Sequence, residues 1–380
     1  MGDGLPLPPA TELGRQGGNR SIPGVRVEAM THAKIDVGVL GATGMVGQSF
    51  VKLLEGHPWF ELTFAAASDR SAGRLYGEAA QWRLDGSIPE RVAQLTVQEC
   101  RPAKSAPRLV FSAMDAGVAT AIERAFAEAG HVVVSNSRNH RMEPDVPLLV
   151  PEINPGHLAA AAAQAARGWK GFIVTNPNCS TVTLTMGLAP LRRFGIEQVI
   201  ATTMQAISGA GYPGVASMDI VGNVIPFIGG EEPKIESETQ KILGEVADGR
   251  FVPLPAAVSA HCNRVPVVDG HMVTVSVALK APAGLDELIE AYETFRGEPQ
   301  ELKLPSAPAK PVLYLKEENR PQPRRDALRG GGMTVTVGRL RECPVLDWKF
   351  VCLGHNTIRG AAGAAILNAE LMKAKGLLLS

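Results

Sequence analysis

Cysteine, aromatic side chains and net charge are all scarce in this sequence of 380 residues. The five cysteines, at 100, 179, 262, 343 and 352, are odd in number and show no CxxC spacing, which excludes a disulfide framework and leaves no zinc-ligand pattern. No metal is expected. Lys plus Arg and Asp plus Glu number 38 each, so no global field draws the chain to nucleic acid or to an anionic membrane. There is no apolar run of about 18 residues, the length a membrane span requires. The N-terminus also lacks the basic start and apolar stretch of a secretory signal, so cytoplasm is the expected location.

The composition is 45% hydrophobic and 20% charged, as in a folded globular protein. The length exceeds what one core usually organises and predicts two domains, one interrupting the other. Residues 1–33, rich in Gly, Pro and polar groups, read as a mobile extension or as a start codon placed too early. Apolar runs at 35–40, 62–67, 108–112, 132–135 and 172–175 predict strands, with helices over 48–54, 118–129 and the alanine-rich 157–167. Strands alternating with helices imply a parallel sheet.

Beyond Cys179, strands predicted at 198–206, 265–279, 333–340 and 348–353 have fewer helices between them, which points to a mixed sheet in an α+β domain. Residues 300–332 read as a surface excursion, and 357–375 as an amphipathic helix. The fold class is therefore α/β, a Rossmann-type dinucleotide-binding domain plus an α+β domain with a mixed sheet.

Between the first strand and its helix stands GATGMVG: Gly41, Ala42, Thr43, Gly44, Met45, Val46 and Gly47. Glycines at 41, 44 and 47 let backbone N–H groups approach a pyrophosphate at a positive helix terminus. The second strand ends at Ser68, and Arg70 between Ser68 and Ser71 suits the 2′-phosphate of NADP where NAD enzymes place an acid. Asp69 either opposes that phosphate or points to solvent.

Cys179 follows a predicted strand and opens an apolar stretch, so its sulfur is expected at a helix N-terminus that stabilises a thiolate and lowers its pKa. The other four cysteines read as small buried hydrophobes. His271, after Asp269 and Gly270 and before a strand, can project into a cleft; His261 is its nearest rival. The run containing Glu231, Glu232, Lys234, Glu236 and Glu238 reads, on charge pattern alone, as a solvated helix face.

In order and spacing, GATGMVG, ASDRSAG, SNSRNHRM, VPEIN, TNPNCST, QAISGAGYPG, GEEPKIESET, NRVPVVDGHMVTVSV and HNTIRGAAG resemble the aspartate-semialdehyde dehydrogenases, in their archaeal and fungal branch, over about residues 35–375. The resemblance implies that Cys179 attacks aspartyl 4-phosphate, that NADPH reduces the resulting thioester, and that His271 moves the proton. It also implies that Gln205 orients the acyl group and Arg264 holds the α-carboxylate. Glu231 or Glu232 would meet the ammonium, Lys234 and Arg141 the phosphate, and Asn356 the nicotinamide amide. Pro233, a departure from the family pattern, bears on which glutamate faces the ammonium.

The implied domains are 34–178 with 355–380 for NADP, and 179–354 for catalysis and dimerisation, in a homodimer or homotetramer. A malonyl-CoA reductase uses the same cysteine chemistry on a thioester and is the nearest alternative. An N-acetylglutamyl-phosphate reductase and a catalytically silent NADP-binding paralogue follow.

Overall fold

The computed structural model describes residues 33–378. The expected extension, residues 1–33, lies outside that range apart from Ala33.

The first layer is built from β1 (Ile35–Leu40), α1 (Met45–Leu54), β2 (Phe60–Ala67), β3 (Gln98–Glu99), β4 (Leu109–Ser112), α2 (Ala116–Ala129), β5 (Val132–Ser135) and β6 (Phe172–Thr175). These strands form one sheet in the order β3-β2-β1-β4-β5-β6, with every pairing parallel. Runs such as VVVS and LVFS are buried at every residue, as strands covered on both faces must be. The order reverses at β1, so a crevice opens at the carboxyl ends of β1 and β4, the usual ligand position in such sheets. The alanine-rich segment Pro155–Arg167 is helical as expected, but in 3-10 turns.

The second layer contains α3 (Cys179–Leu188), β7 (Ile196–Gln205), α4 (Glu231–Leu243), β8 (Ala257–Arg264), β9 (His271–Leu279), α5 (Leu285–Thr294), β10 (Val312–Leu315), β11 (Val335–Glu342) and β12 (Trp348–Gly354). Its sheet runs β8-β7-β9-β12-β11-β10, with parallel pairs at each edge and antiparallel pairs between. The mixed sheet expected from the sequence is present. Two details differ. The strand predicted over 265–279 begins only at His271, because Val265–Gly270 turns the chain, and β8 just before it was not foreseen. Residues 300–332 are no mere excursion: β10 forms a sheet edge, and Leu304 joins the core of the nucleotide-binding layer.

The helix α3 is buried on all sides from Ser180 to Leu188. It leaves β6 of the first sheet and packs Val182, Leu184 and Met186 with Val273, Val275 and Phe350 of the second. Cys179 is thereby set where the two layers meet. The C-terminal segment corrects another expectation. It opens with π-helical turns at Ile358–Ala362 and continues as α6 (Gly363–Ala374), which is buried on every side from Gly363 to Met372 and so is not amphipathic. Ala365, Ile366 and Leu367 share the core of Phe50 and Phe111, on the nucleotide-binding side.

Candidate active site

The three glycines of the first turn meet different demands. Gly41 has φ +76°, and a Cβ there would lie 2.7 Å from Ala113 O, at the end of β4. At Gly47 a Cβ would lie 2.7 Å from Ala42 Cα, so its absence lets α1 start tight against the strand. A Cβ at Gly44 would meet, among the described residues, only Gly41 O at 3.5 Å, which leaves the turn open to a ligand. Tyr76 Oη donates to Ala42 O at 2.9 Å and Gln48 Nε2 to Thr43 O at 2.9 Å, holding the turn rigid. Met45 and Val46 form the first turn of α1. Ser68 and Arg70 are exposed beyond β2, and Ser71 is half-buried beside them. This cradle fits a dinucleotide: a small-residue turn, a helix N-terminus and a free guanidinium at the adjoining strand end.

Cys179 is the first residue of α3, capped by Asn178, whose Oδ1 accepts the N–H groups of Ser180 and Thr181 at 2.9 and 3.2 Å. The cap does not engage Cys179's own N–H, which stays available to an oxygen bound at the sulfur. The sulfur lies 3.2 Å from Nε2 of His271, which is fully buried at the start of β9. Ala206 N–H donates to Nδ1 of that ring at 3.0 Å. A neutral His271 therefore carries its proton on Nε2, facing the sulfur.

The expectation of a lowered cysteine pKa is overturned. Burial pushes the Cys179 thiol up to about 12, Glu231 pushes the same way, and Arg141 and Arg264 pull it down without prevailing. Desolvation outweighs the helix terminus because the sulfur lies against protein on nearly every side, with only a part of the residue open to solvent. Burial likewise takes His271 down to about 3, helped by Arg264 and His355. The pair rests as thiol and neutral imidazole, not as an ion pair.

Around the sulfur stand the polar groups named from the sequence. Arg264, at the end of β8, donates Nη1 to Ala206 O at 2.7 Å. Gln205 ends β7 with its Nε2 3.3 Å from Thr203 Oγ1 and 3.5 Å from Glu231 Oε2. Glu231 accepts from Asn178 Nδ2 at 2.8 Å and pairs with Lys234 at 2.7 Å. Glu232 faces elsewhere: its Oε1 accepts Cys262 N–H at 3.1 Å, along the free edge of β8. Pro233 falls in the first turn of α4, where its missing N–H has no helical partner to lose. Arg141 donates Nη1 to Glu238 Oε1 and Nη2 to Asn136 O, both at 2.9 Å, while its Nε is buried without a partner. Asn356 bridges Gly270 N–H and Ser208 Oγ, at 2.8 and 2.7 Å, beside His271.

Residues 36–161 match the family model described as "Semialdehyde dehydrogenase, NAD binding domain", and residues 188–359 match "Semialdehyde dehydrogenase, dimerisation domain". The aspartate-semialdehyde dehydrogenase of Methanothermobacter thermautotrophicus is 54% identical over 343 residues, covering 89% of this chain and 99% of that relative. The chain belongs to the aspartate-semialdehyde dehydrogenase family. A fungal family member, from Cryptococcus neoformans, is 49% identical over 91% of this chain and 98% of its own length. The crystal structure of aspartate semialdehyde dehydrogenase with NADP from Candida albicans superposes with a TM-score of 0.84 at 45% identity, covering 91% of this chain and all of that one.

Within this aspartate-semialdehyde dehydrogenase framework, several contributors were absent from the residues picked out by sequence. Asn178 was legible in principle, as an Asn directly before an apolar run is an N-cap signal. Gly209 packs so that a Cβ would lie 2.8 Å from His271 Cε1 and 3.0 Å from Arg264 Nη1, holding the SGA turn on both side chains. The helix α4 departs from the solvated face that its charge pattern alone suggests: Glu231, Glu238 and Lys241 are buried. Its charges are matched by groups far away in sequence, which pattern alone could not reveal.

Proposed function

We propose that this chain is an NADP-dependent aspartate-semialdehyde dehydrogenase, reducing L-aspartyl 4-phosphate to L-aspartate 4-semialdehyde through a thioester on Cys179. The observation that carries the reading is the 3.2 Å approach of Cys179 Sγ to His271 Nε2, at the start of a helix and beside Arg264, Gln205 and Glu231. NADP fits the turn Gly41–Gly47, with Arg70, Ser68 and Ser71 at its 2′-phosphate; when bound in reduced form it supplies the hydride.

The roles follow from charge and position. Arg264 holds the α-carboxylate, Glu231 the ammonium, and Arg141 with Lys234 the departing phosphate. Glu231 takes this part rather than Glu232, whose carboxylate is committed to β8. Cys179 attacks the acyl carbon, and the oxygen anion forms against the N–H groups at the start of α3. Gln205 steadies the acyl group. As the thiol attacks, its proton leaves with the departing phosphate, while the Nε2–H of His271 donates to the sulfur as negative charge builds there, and it does so again when the thiohemiacetal expels the thiolate. Asn356 fixes Gly270 and Ser208 beside that histidine, and its second amide hydrogen and second oxygen lone pair serve the nicotinamide amide.

The relatives support this acyl-phosphate reading over the malonyl-CoA reductase alternative, which lacks such support. We take residues 34–178 with 355–380 as the NADP domain and 179–354 as the catalytic and dimerisation domain. The protein works in the cytoplasm as a homodimer or homotetramer, joined through the open face of the mixed sheet, where Ile200 is 43% exposed. Among the described residues, no helix is long and apolar enough to cross a membrane. The test is NADP+-dependent, phosphate-dependent oxidation of L-aspartate 4-semialdehyde by the full chain. No turnover in either direction with folded protein overturns the proposal, and Cys179→Ala with full activity overturns the thioester route.

A further inference from the structure

Residues 231, 234, 238 and 241 recur along α4 at intervals of three and four and therefore share one face. Buried carboxylates and ammonium groups persist only when their hydrogen-bonding capacity is filled. Lys234 pairs with Glu231 on the same helix, whereas the buried Glu231, Glu238 and Lys241 are each met by a segment distant in sequence. Glu238, 2% exposed, accepts Arg141 Nη1 on Oε1 at 2.9 Å and the backbone N–H of Asn178 on Oε2 at 2.6 Å. One turn further, Lys241 donates to the carbonyls of Arg141, Glu143 and Val146 at 2.7, 2.9 and 2.9 Å.

One carboxylate thus ties a guanidinium to the residue immediately before the nucleophile. Its two oxygens set the separation between Arg141 and the Cys179 turn, and the lysine on the same helix face fixes the backbone that carries Arg141. Each Nη of Arg141 makes one bond inward, to Glu238 and to Asn136 O, and among the described residues the buried Nε–H has no partner. A substrate whose phosphate is held at Arg141 while its acyl carbon meets Cys179 must span this distance. An error of a few tenths of an ångström there disturbs the attack geometry directly.

We infer that Glu238 is a positioning residue, setting Arg141 at the distance from Cys179 that an acyl phosphate requires. The inference rests on the assignment of Arg141 to the phosphate. Neither the charge run in the sequence nor any role implied by the family resemblance pointed to Glu238.

The experiment measures initial rates of L-aspartate 4-semialdehyde oxidation while inorganic phosphate and NADP+ are varied separately, for wild type, Glu238→Gln, Glu238→Asp, Arg141→Lys and the Gln/Lys double variant. Glutamine keeps one acceptor but turns an NH2 group toward one of the two donors. Its KM for phosphate is expected to rise about tenfold, with the KM for NADP+ within about twofold of wild type. The double variant is expected to fall short of the product of the single effects, since both changes break one link. Aspartate keeps both acceptor oxygens on a shorter stem, and its phosphate KM is expected to lie between those of wild type and Glu238→Gln.

If Arg141→Lys leaves the phosphate KM unchanged, the assignment of Arg141 fails. If Arg141→Lys raises it while Glu238→Gln lowers only kcat or Tm, or the two effects multiply, Glu238 is merely structural and the inference is overturned. Should Glu238→Gln not fold, the same criteria applied to Glu238→Asp decide.

Discussion

Gly360 packs directly on Cys179: a Cβ at Gly360 would lie 2.6 Å from the cysteine Cβ and 3.1 Å from its Cα. The π-helical turns at Ile358–Ala362 bring the C-terminal segment under Cys179, and only a residue without a side chain fits there. Gly360→Ala must therefore shift the Cys179 turn relative to His271. We expect kcat to fall by about 10- to 100-fold, with the KM for NADP+ little changed. Steady-state kinetics on folded protein, with Tm as control, checks this; an unaltered kcat would show that the turn moves without consequence.

The raised thiol and lowered imidazole define a pH window. A thiol held near 12 gains reactivity only as pH climbs toward that value, and His271, near 3, supplies no imidazolium at neutral pH. Alkylation of Cys179 by iodoacetamide in the ligand-free enzyme should rise steadily between about pH 6 and 9 with no plateau. Mass spectrometry of the modified peptide measures it, and a plateau below pH 8 would contradict the neutral pair.

The same burial acts on stability in acid. His271 and His157 have folded values of about 3 and about 4, below the ordinary 6.5. The unfolded chain therefore binds these protons first, and stability is lost as pH falls from 6.5 through the folded values. In His157→Phe, Tm should decline less steeply with pH between about 6.5 and 4 than in wild type. Equal slopes would mean that His157 is protonated in the native state.

Among the described residues, Arg359 is the largest fully buried side chain, and it meets Glu152 through two bonds of 2.7 Å. Removing one partner strands the other charge in the interior. Glu152→Ala should lose about 3–5 kcal/mol in urea unfolding, if the transition stays two-state. Arg359→Met with Glu152→Leu should recover part of that loss, because neither charge then remains. No loss in the single variant would mean that water reaches Arg359.

Arg70 has an exposed side chain beyond β2. Arg70→Ala should raise the KM for NADP+ about tenfold or more while leaving that for NAD+ unchanged, since only the former carries a 2′-phosphate. Equal effects on both cofactors would place Arg70 away from that phosphate.

Much of the site was readable from single segments, and the reason is local. The glycine turn, the strand before it and the helix after it follow from backbone sterics and short-range periodicity, so Gly41–Gly47 was placed without tertiary information. The start of α3 at Cys179 was equally legible, because an apolar run after NPN can begin a helix. The limits of β9 were misread because an apolar stretch does not show where it turns, and β8 was missed because its alternate polar residues hid it. The last helix looked amphipathic when read alone, yet the nucleotide-binding core covers all its faces.

The sequence by itself determined the two layers, the glycine turn and the place of Cys179 at the start of a helix, since each depends on residues within one helix or strand of one another. Tertiary structure alone decided what state that cysteine rests in and what holds its partners. Its sulfur pKa is set by desolvation and by charges at positions 141, 231 and 264. Glu238 became a buried link because Arg141 and Asn178 converge on it across 97 and 60 residues of chain. Burial and long-range charge pairing are properties of the packed molecule, and no local pattern of residues encodes them.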